Sequence, residues 1–321
     1  MSIDLHPARR GRALALLLAL GAAGCQPAAP ASSPAPAPAA AALPSDAVLL
    51  PVAPAANLRS FPSADSLAGY LRAGSAAGPL ISAHRGGPVD RYPENAIVTF
   101  ERTLSLTPAL LEIDVRHTRD GALVLLHDET LERTTNGAGP LAARTLAEVR
   151  ALRLRDPMGR LTPHAIPTLD ETLAWSEGRA VLLLDVKRGV APDTLVAAVR
   201  RAGAADRVVV IVYTHDDLLL YHRLAPELVI SFSAETPADV ERAVAAGVDP
   251  RRLIAFTGVG ELRPETYEAL HARGIRAQLG TFGPIDARAA AEGAQVYRAL
   301  LERGVEVIST DSVSRAAGVV R

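Results

Sequence analysis

The stretch LISAHRGGPVDRYPENAIVTFERTLSLTPALLEIDVRHTRDGALVLLHD, residues 80–128, decides the fold of this chain. Within it, three short apolar runs each end in a polar cluster: His84-Arg85-Gly86-Gly87, Glu112-Ile113-Asp114 and His127-Asp128. Apolar runs of this length, bounded by polar residues, are typical of buried strands. Charged groups at the ends of buried strands are costly unless they are paired, solvated in a cleft or bound to a cation. We therefore expect the three clusters to line one site.

Downstream of this stretch, apolar segments alternate with helix-like segments almost to the end of the chain. This alternation is typical of a parallel sheet covered by helices. About eight such units in about 240 residues match the size of a TIM (β/α)8 barrel, which is the predicted α/β fold. There are nine candidate strands besides the hairpin return, so either 166–169 or 253–256 is expected to lie outside the barrel. A doubly wound open sheet is the alternative, and it would gather ligands at a single crevice.

A hairpin is predicted where Asp120-Gly121 separates two apolar runs, because this dipeptide favours tight turns between strands. If the strands pair from that turn, Asp114 falls opposite Leu126. The return strand would then bring His127 beside Glu112 and Asp114. The hairpin is thus expected to be an excursion next to the site.

The composition is that of a globular protein, with 321 residues, 49% hydrophobic residues and 21% charged residues. The formal net charge is −1, and the basic residues are dispersed rather than clustered. Nucleic-acid-binding proteins carry a basic patch or stripe, so no nucleic-acid partner is expected.

The N-terminus predicts an exported lipoprotein. Residues 1–24 combine three arginines, a short apolar run and small residues, which is the pattern of a signal peptide. Cys25 is the sole cysteine, and its place at the end of this segment predicts lipidation and an extracytoplasmic, membrane-anchored location. An ordinary secretory peptide with a chance cysteine, or an uncleaved anchor, is the alternative. Residues 25–56 are rich in Pro and Ala and read as a disordered tether, and residues 57–321 are expected to form the folded domain.

Three carboxylates are candidate metal ligands. Glu112 and Asp114 are two residues apart on a predicted strand and therefore point to the same face. Asp185, at the end of another predicted strand, could add a third oxygen. Oxygen ligands without cysteine suit Ca²⁺ or Mg²⁺. The alternative is a set of local salt bridges, Glu112 with Arg116 and Asp185 with Lys187.

Two histidines and two basic residues complete the candidate site. His84 and His127 approach from different strands and could act as general base and general acid. Arg85 and Lys187 are placed to neutralise an anion such as a phosphodiester. A lone histidine at a strand end is more often structural, but two beside a carboxylate cluster favour catalysis.

The ordered series of motifs resembles the glycerophosphodiester phosphodiesterase family. The series runs His-Arg-Gly, Pro-Glu-Asn, Glu-x-Asp, Thr-x-Asp-Gly, His-Asp and Arg-Thr-Thr-x-Gly-x-Gly, and it closes with Ile-Ser-Thr-Asp at 308–311. The resemblance implies a TIM barrel and metal-dependent phosphodiester hydrolysis. It implies that His84 and His127 are the acid–base pair, that Glu112 and Asp114 bind the metal, and that Arg85 holds phosphate. It also implies attack by the glycerol 2-hydroxyl and a cyclic phosphate that water then opens.

The chain departs from this family pattern after residue 180. The expected Glu-x-Lys is Asp185-Val186-Lys187, so the third metal ligand is one methylene shorter. Where many members carry Trp-Thr-Val-Asn, residues 278–282 read QLGTF, and residues 213–216 read YTHD in place of Ser-Phe. Because of these departures, the resemblance does not specify the head group of the substrate. A phospholipase C- or D-like activity on lysophospholipid or inositol-type lipids is the second hypothesis, and a catalytically silent surface binding protein is the third.

Overall fold

The structure is a computed structural model that describes residues 56–261 and 263–320. The predicted signal peptide, Cys25 and almost all of the predicted tether lie outside the described residues. The described residues cover the expected folded domain, residues 57–321, except for positions 262 and 321. None of the helices within the described ranges is both long and apolar enough to cross a bilayer.

Eight parallel strands close into a barrel, which confirms the predicted TIM fold. Outside this ring, the short strand β3 pairs antiparallel with β2. Closure comes from the pairing of β1 with both β9 and β2. The strands are β1 (Leu80–Ala83), β2 (Leu110–His117), β3 (Leu123–Leu125), β4 (Val181–Val186), β5 (Val208–Val212), β6 (Val229–Ser233), β7 (Leu253–Phe256), β8 (Arg276–Gly280) and β9 (Val307–Thr310).

Of the two short apolar segments at 166–169 and 253–256, the second is the barrel strand. Residues 253–256 form the barrel strand β7, which pairs with β6 and β8. Residues 166–169 form no strand, although Thr168 makes an isolated bridge with Val124 of the hairpin. Thr168 then caps a helix by accepting a hydrogen bond from the backbone N–H of Glu171 (3.0 Å). The capping position therefore belongs to Thr168, and Asp170 lies in the first turn of the helix.

The helices surround the barrel, and one of them closes its floor. They are α1 (Ala64–Tyr70), α2 (Ile97–Leu106), α3 (Leu146–Arg150), α4 (Leu169–Ser176), α5 (Pro192–Arg201), α6 (His215–Leu224), α7 (Pro237–Ala245), α8 (Pro264–Ala272), α9 (Pro284–Glu292), α10 (Gln295–Glu302) and α11 (Val313–Ala316). Between α9 and α10 the helix is interrupted, because α9 ends at Glu292 and the φ of 97° at Gly293 is not helical. The chain therefore forms two helices there.

The interior of the barrel is divided into an apolar floor and a polar mouth. Inward-facing residues near the strand starts, such as Leu110, Val181 and Val209, pack with Leu67 in α1 and Leu71 just beyond it. Further along the same strands the inward-facing positions become polar. Because all eight strands are parallel, these polar positions meet at the carboxyl-terminal end of the barrel, where TIM-barrel active sites lie.

Candidate active site

Three buried carboxylates meet at the mouth of the barrel. Glu112 and Asp114 lie on β2, and the parallel register places Asp114 beside Asp185 on β4. One oxygen from each of the three residues lies within 4.8 Å of the others. The register of two neighbouring strands thus gathers the three residues predicted as metal ligands, although they are separated by up to 73 positions (185 − 112).

The electrostatics of the three carboxylates favour a cation. Burial, together with the neighbouring charges of Asp114 and Asp185, raises the pKa of Glu112 well above its ordinary value. Asp185 Oδ1 is buried and has no hydrogen-bond partner in the described structure. A bound cation would give the buried oxygen of Asp185 a partner, and it would lower the cost of ionising the buried Glu112. The donor set is all oxygen, which fits a hard divalent ion.

Lys187 already neutralises part of this charge. Its ammonium lies 2.7 Å from Asp114 Oδ1 and 2.5 Å from Asp185 Oδ2. Burial alone would favour a protonated Asp114, but Lys187 and Asn95 outweigh it and lower the pKa of Asp114. The salt bridge of Asp185 with Lys187, considered as an alternative from the sequence, is therefore present. The role of Lys187 in binding phosphate stays a prediction.

The other local salt bridge, of Glu112 with Arg116, is absent from the described ion pairs. Arg116 instead donates a hydrogen bond from Nε to the carbonyl oxygen of His127 (2.8 Å). Glu112 accepts a short bond from the backbone N–H of Arg85 (2.6 Å). Glu112 therefore ties the end of β1 to β2, and Arg116 ties the hairpin return to β2.

Asn95 holds Asp114 in place from the Pro-Glu-Asn segment. Its Nδ2 donates to Asp114 Oδ2 (2.7 Å), and its Oδ1 accepts from the backbone N–H of Asp114 (2.9 Å). Asn95 has a φ of 56°, a left-handed conformation that Asn tolerates better than most residues. Asn95 does not cap α2, because the N-cap position belongs to Ala96. Asn95 is instead a positioning residue for a carboxylate.

His84 follows β1 directly and is held on two sides. Its Nδ1 lies 2.7 Å from Asp311 Oδ1, and its ring stacks on Phe282 with centroids 4.4 Å apart. Asp311 is itself positioned by the buried Asp286, whose Oδ2 accepts from the Asp311 backbone N–H (2.9 Å). With Nδ1 facing a carboxylate, the Nε2 atom is the one left for proton transfer.

His127 follows β3 and has an equivalent carboxylate partner. The hairpin has the predicted register, because Leu126 N–H donates to Asp114 O (3.0 Å). His127 Nδ1 lies 2.7 Å from Asp128 Oδ1. Hydrogen bonds from Arg133 and His127 lower the pKa of Asp128 and so keep it ionised.

An ionic chain connects the surroundings of His127 with those of the carboxylates. Arg133 donates to both Asp128 oxygens (2.6 and 2.8 Å) and to both Glu94 oxygens (2.8 Å each). Glu94 in turn accepts two bonds from Arg85 Nη1 (3.1 Å each). Arg85 Nε lies 3.8 Å from Asp114 Oδ2 and is buried without a hydrogen-bond partner in the described structure. That free donor is the observation that supports an anion-binding role for Arg85.

The two glycines after Arg85 are needed for packing. Gly86 has a φ of 84°, and a Cβ there would collide with the ring of Phe100. A Cβ on Gly87 would lie 2.8 Å from Val313 and 2.9 Å from Thr103. At both positions the atoms that a Cβ would meet belong to side chains of the protein itself.

A cavity at the barrel mouth brings part of the site together. His84, Glu112 and Asp185 line it, with Tyr213 and Phe256 among its other walls. Its volume is about 70 Å³. A larger groove of about 370 Å³ lies beside it, between the loops that follow β5 and β6, and Tyr213 lines both spaces.

A profile of the glycerophosphoryl diester phosphodiesterase family matches residues 84–315, which is most of the chain and includes every residue of the site. The chain belongs to this family. Among solved structures, a glycerophosphoryl diester phosphodiesterase from Parabacteroides distasonis is 33% identical, with a TM-score of 0.77 over 82% of this chain and 93% of that one. The predicted family resemblance is therefore confirmed.

Two glycerophosphodiester phosphodiesterases illustrate the sequence similarity. The protein from Caldanaerobacter subterraneus is 34% identical over 158 residues, which are 47% of this chain and 65% of that protein. The protein from Bacillus altitudinis is 31% identical over 160 residues, 46% of this chain and 63% of that protein. The chain thus spans slightly less than two thirds of the length of these relatives.

Several functional neighbours of the histidines were not identified from the sequence. Asp311 was seen only as the end of the last strand, and Phe282 only as a departure from the family pattern. Asp286 carried no signal, because it lies inside a helix-like segment. The position of Asp311 directly after an apolar strand was the available clue, since the other site residues follow their strands in the same way.

Proposed function

We propose that this chain hydrolyses glycerophosphodiesters to glycerol phosphate and an alcohol. The observation that carries the proposal is the pair of histidines, His84 and His127, each bonded at Nδ1 to a carboxylate and set beside three buried carboxylates. Family membership and the glycerophosphodiester phosphodiesterases similar to this chain support the same reaction.

Glu112, Asp114 and Asp185 would hold a divalent cation, Ca²⁺ or Mg²⁺. When bound, such an ion supplies positive charge that stabilises the phosphoryl oxygens in the transition state. The buried charge and the free oxygen of Asp185 support this assignment. Arg85 and Lys187 would bind the phosphate oxygens by charge-assisted hydrogen bonds.

The two histidines would move the protons. One removes the proton of the glycerol 2-hydroxyl while that oxygen attacks phosphorus, and the other gives a proton to the leaving alcohol oxygen as its bond to phosphorus breaks. The product of this step is a cyclic glycerol phosphate and a free alcohol. Water then adds to phosphorus and opens the ring, with the same two histidines in exchanged roles. Asp311 and Asp128 orient the two rings through their bonds to Nδ1.

We also propose that the protein is exported and attached to a membrane through diacylated Cys25. The support is the sequence of residues 1–24 and the position of the sole cysteine. Mass spectrometry of the membrane fraction from expressing cells is the test. An N-terminal peptide that begins at Cys25 and carries lipid supports the proposal, and a soluble, unmodified Cys25 would refute it.

The activity is tested with the purified full chain and glycerophosphocholine. Products are identified by phosphorus NMR after incubation with EDTA, Ca²⁺ or Mg²⁺. We expect cation-dependent release of glycerol phosphate and choline. Release of phosphocholine would show cleavage of the other ester bond, and equal activity in EDTA would remove the metal from the mechanism.

A further inference from the structure

Two buried polar side chains in the cavity have no role in the mechanism above. Ser231 on β6 is 1% exposed and Gln278 on β8 is 2% exposed. Ser231 Oγ and Gln278 Oε1 lack hydrogen-bond partners among the described residues. Both residues line the same cavity as His84 and Glu112. Their strands, β6 and β8, are adjacent to neither β2 nor β4, which carry the three carboxylates.

Buried polar atoms without partners are rare because each has lost its hydrogen bonds to water without replacing them. The sequence could have filled these two inward positions with apolar residues, as it does at Val229 one layer below. Ser231 and Gln278 also carry no charge, unlike the three carboxylates proposed to hold the cation. A serine hydroxyl and a carboxamide are instead the groups that bind alcohols in pockets.

We propose that Ser231 and Gln278 bind the terminal free hydroxyl of the glycerol half of the substrate. This inference rests on the proposed hydrolysis of glycerophosphodiesters. Gln278 Oε1 accepts the hydrogen bond of that hydroxyl, and Ser231 Oγ donates one to its oxygen. The adjacent 2-hydroxyl is then left near His84 and the carboxylates.

The sizes of the two spaces explain why the glycerol half lies inside. The cavity of about 70 Å³ suits a small polyol, whereas the alcohol released by the reaction extends towards the groove of about 370 Å³ beyond Tyr213. An acyl chain on the terminal hydroxyl would remove the hydrogen and exceed the cavity. The two residues therefore select deacylated diesters over lysophospholipids.

The test uses substrates that differ by one hydroxyl. Glycerophosphocholine is compared with the phosphocholine ester of propane-1,2-diol, which keeps the 2-hydroxyl and lacks the terminal one. For the full-length wild-type protein we expect kcat/KM to fall by about 100-fold or more without the hydroxyl, since buried polar groups are then left unpaired. In Gln278→Leu and Ser231→Ala the two substrates should differ by less than about 10-fold.

Ser82→Ala is the matched control. Ser82 is also a fully buried serine on a barrel strand with an unpartnered Oγ, but it is not among the residues that line the cavity. This variant should keep the wild-type preference. The ratio of the two substrates is measured within each variant, so it does not depend on the fraction of protein that folds.

Three results would contradict the inference. Equal rates on both substrates by the wild type would mean that the two side chains hold only ordered water. Equal losses on both substrates in the variants would assign them a structural role. If the wild type hydrolyses neither diester, the proposed function fails, and the inference fails with it.

Discussion

At the scale of single residues, the site depends on how one buried carboxylate is kept in place. Asp114 interacts with Lys187 and with both ends of the Asn95 carboxamide. Removing one partner from a buried charge is costly because the remaining group stays desolvated. Asn95 also occupies a left-handed backbone conformation that few residues tolerate. The asparagine of the Pro-Glu-Asn segment therefore has a structural role in this chain, which is to hold Asp114 in place.

Asn95→Ala is expected to lower the free energy of unfolding by about 2–4 kcal/mol, because it removes two hydrogen bonds and places alanine at positive φ. Urea denaturation measures the loss. The control is Asn57→Ala, which removes one side-chain bond to the carbonyl of Leu104 far from the site (2.9 Å). Similar losses in the two variants would contradict a special role for Asn95.

At the scale of elements, the hairpin and the loop after it depend on Arg133. This guanidinium joins Asp128, the partner of His127, to Glu94, the partner of Arg85. A planar guanidinium can bind two carboxylates at once with paired hydrogen bonds, whereas an ammonium cannot. The ionic chain therefore orients His127 relative to β2.

Arg133→Lys is expected to lower kcat on glycerophosphocholine by about 10-fold through loss of this geometry. Its effect on stability should stay below about 1 kcal/mol, because the Arg133 side chain is 48% exposed. Arg150→Lys is the control, since Arg150 pairs with Glu171 outside the site (2.6 Å). Unchanged kcat in Arg133→Lys would mean that the ionic chain does not position His127.

An ion pair between His271 and Glu306 joins α8 to the residue just before β9. His271 on α8 lies 3.1 Å from Glu306, which also accepts from the backbone N–H of Gly74 (3.0 Å). The hydrogen bond to Glu306 raises the pKa of His271. No pattern in the sequence predicts this pair, because the two residues are 35 positions apart (306 − 271).

The stability from this pair should depend on pH. It is fully present below the unfolded-state pKa of histidine, about 6.5, and is lost as the pH rises through the higher folded-state pKa. His271→Gln should therefore destabilise the protein more at pH 6 than at pH 9. The difference should be under about 1 kcal/mol, since the side chain is 37% exposed. His222→Gln on α6, where no ion pair is described, is the control in the same thermal melts.

At the scale of the whole molecule, features set by local sequence could be predicted more fully than contacts between residues far apart in the chain. Asp120-Gly121 predicts the hairpin, although the observed register places His117 opposite Leu123 and so encloses residues 118–122. The three carboxylates of the candidate metal site follow from apolar strands that end in acidic residues. His84 and Asp311, in contrast, lie 227 residues apart and meet only because β1 and β9 close the barrel. The stacking of Phe282 on His84 depends on a loop conformation that no pattern in the sequence specifies.

A divalent cation should stabilise the whole barrel by binding only the folded state. At a free Ca²⁺ or Mg²⁺ concentration of about 100 times Kd, the expected gain is about 2.7 kcal/mol. Thermal melts with and without EDTA measure it. Asp185→Asn should reduce the gain, while Asp170→Asn, an exposed carboxylate paired with Arg201, should keep it. Equal shifts in both variants would place the cation elsewhere.

The assignment of His84 and His127 as an acid–base pair is tested most directly by changing the leaving group. We would measure kcat/KM of His84→Ala and His127→Ala on glycerophosphocholine and on glycerophospho-p-nitrophenol, whose leaving oxygen needs no proton. Both variants should lose about 10²–10⁴-fold on glycerophosphocholine, and only the variant that lacks the general acid should regain activity on the nitrophenyl ester. Recovery of both variants, or undiminished activity of either on glycerophosphocholine, would contradict the two-histidine mechanism.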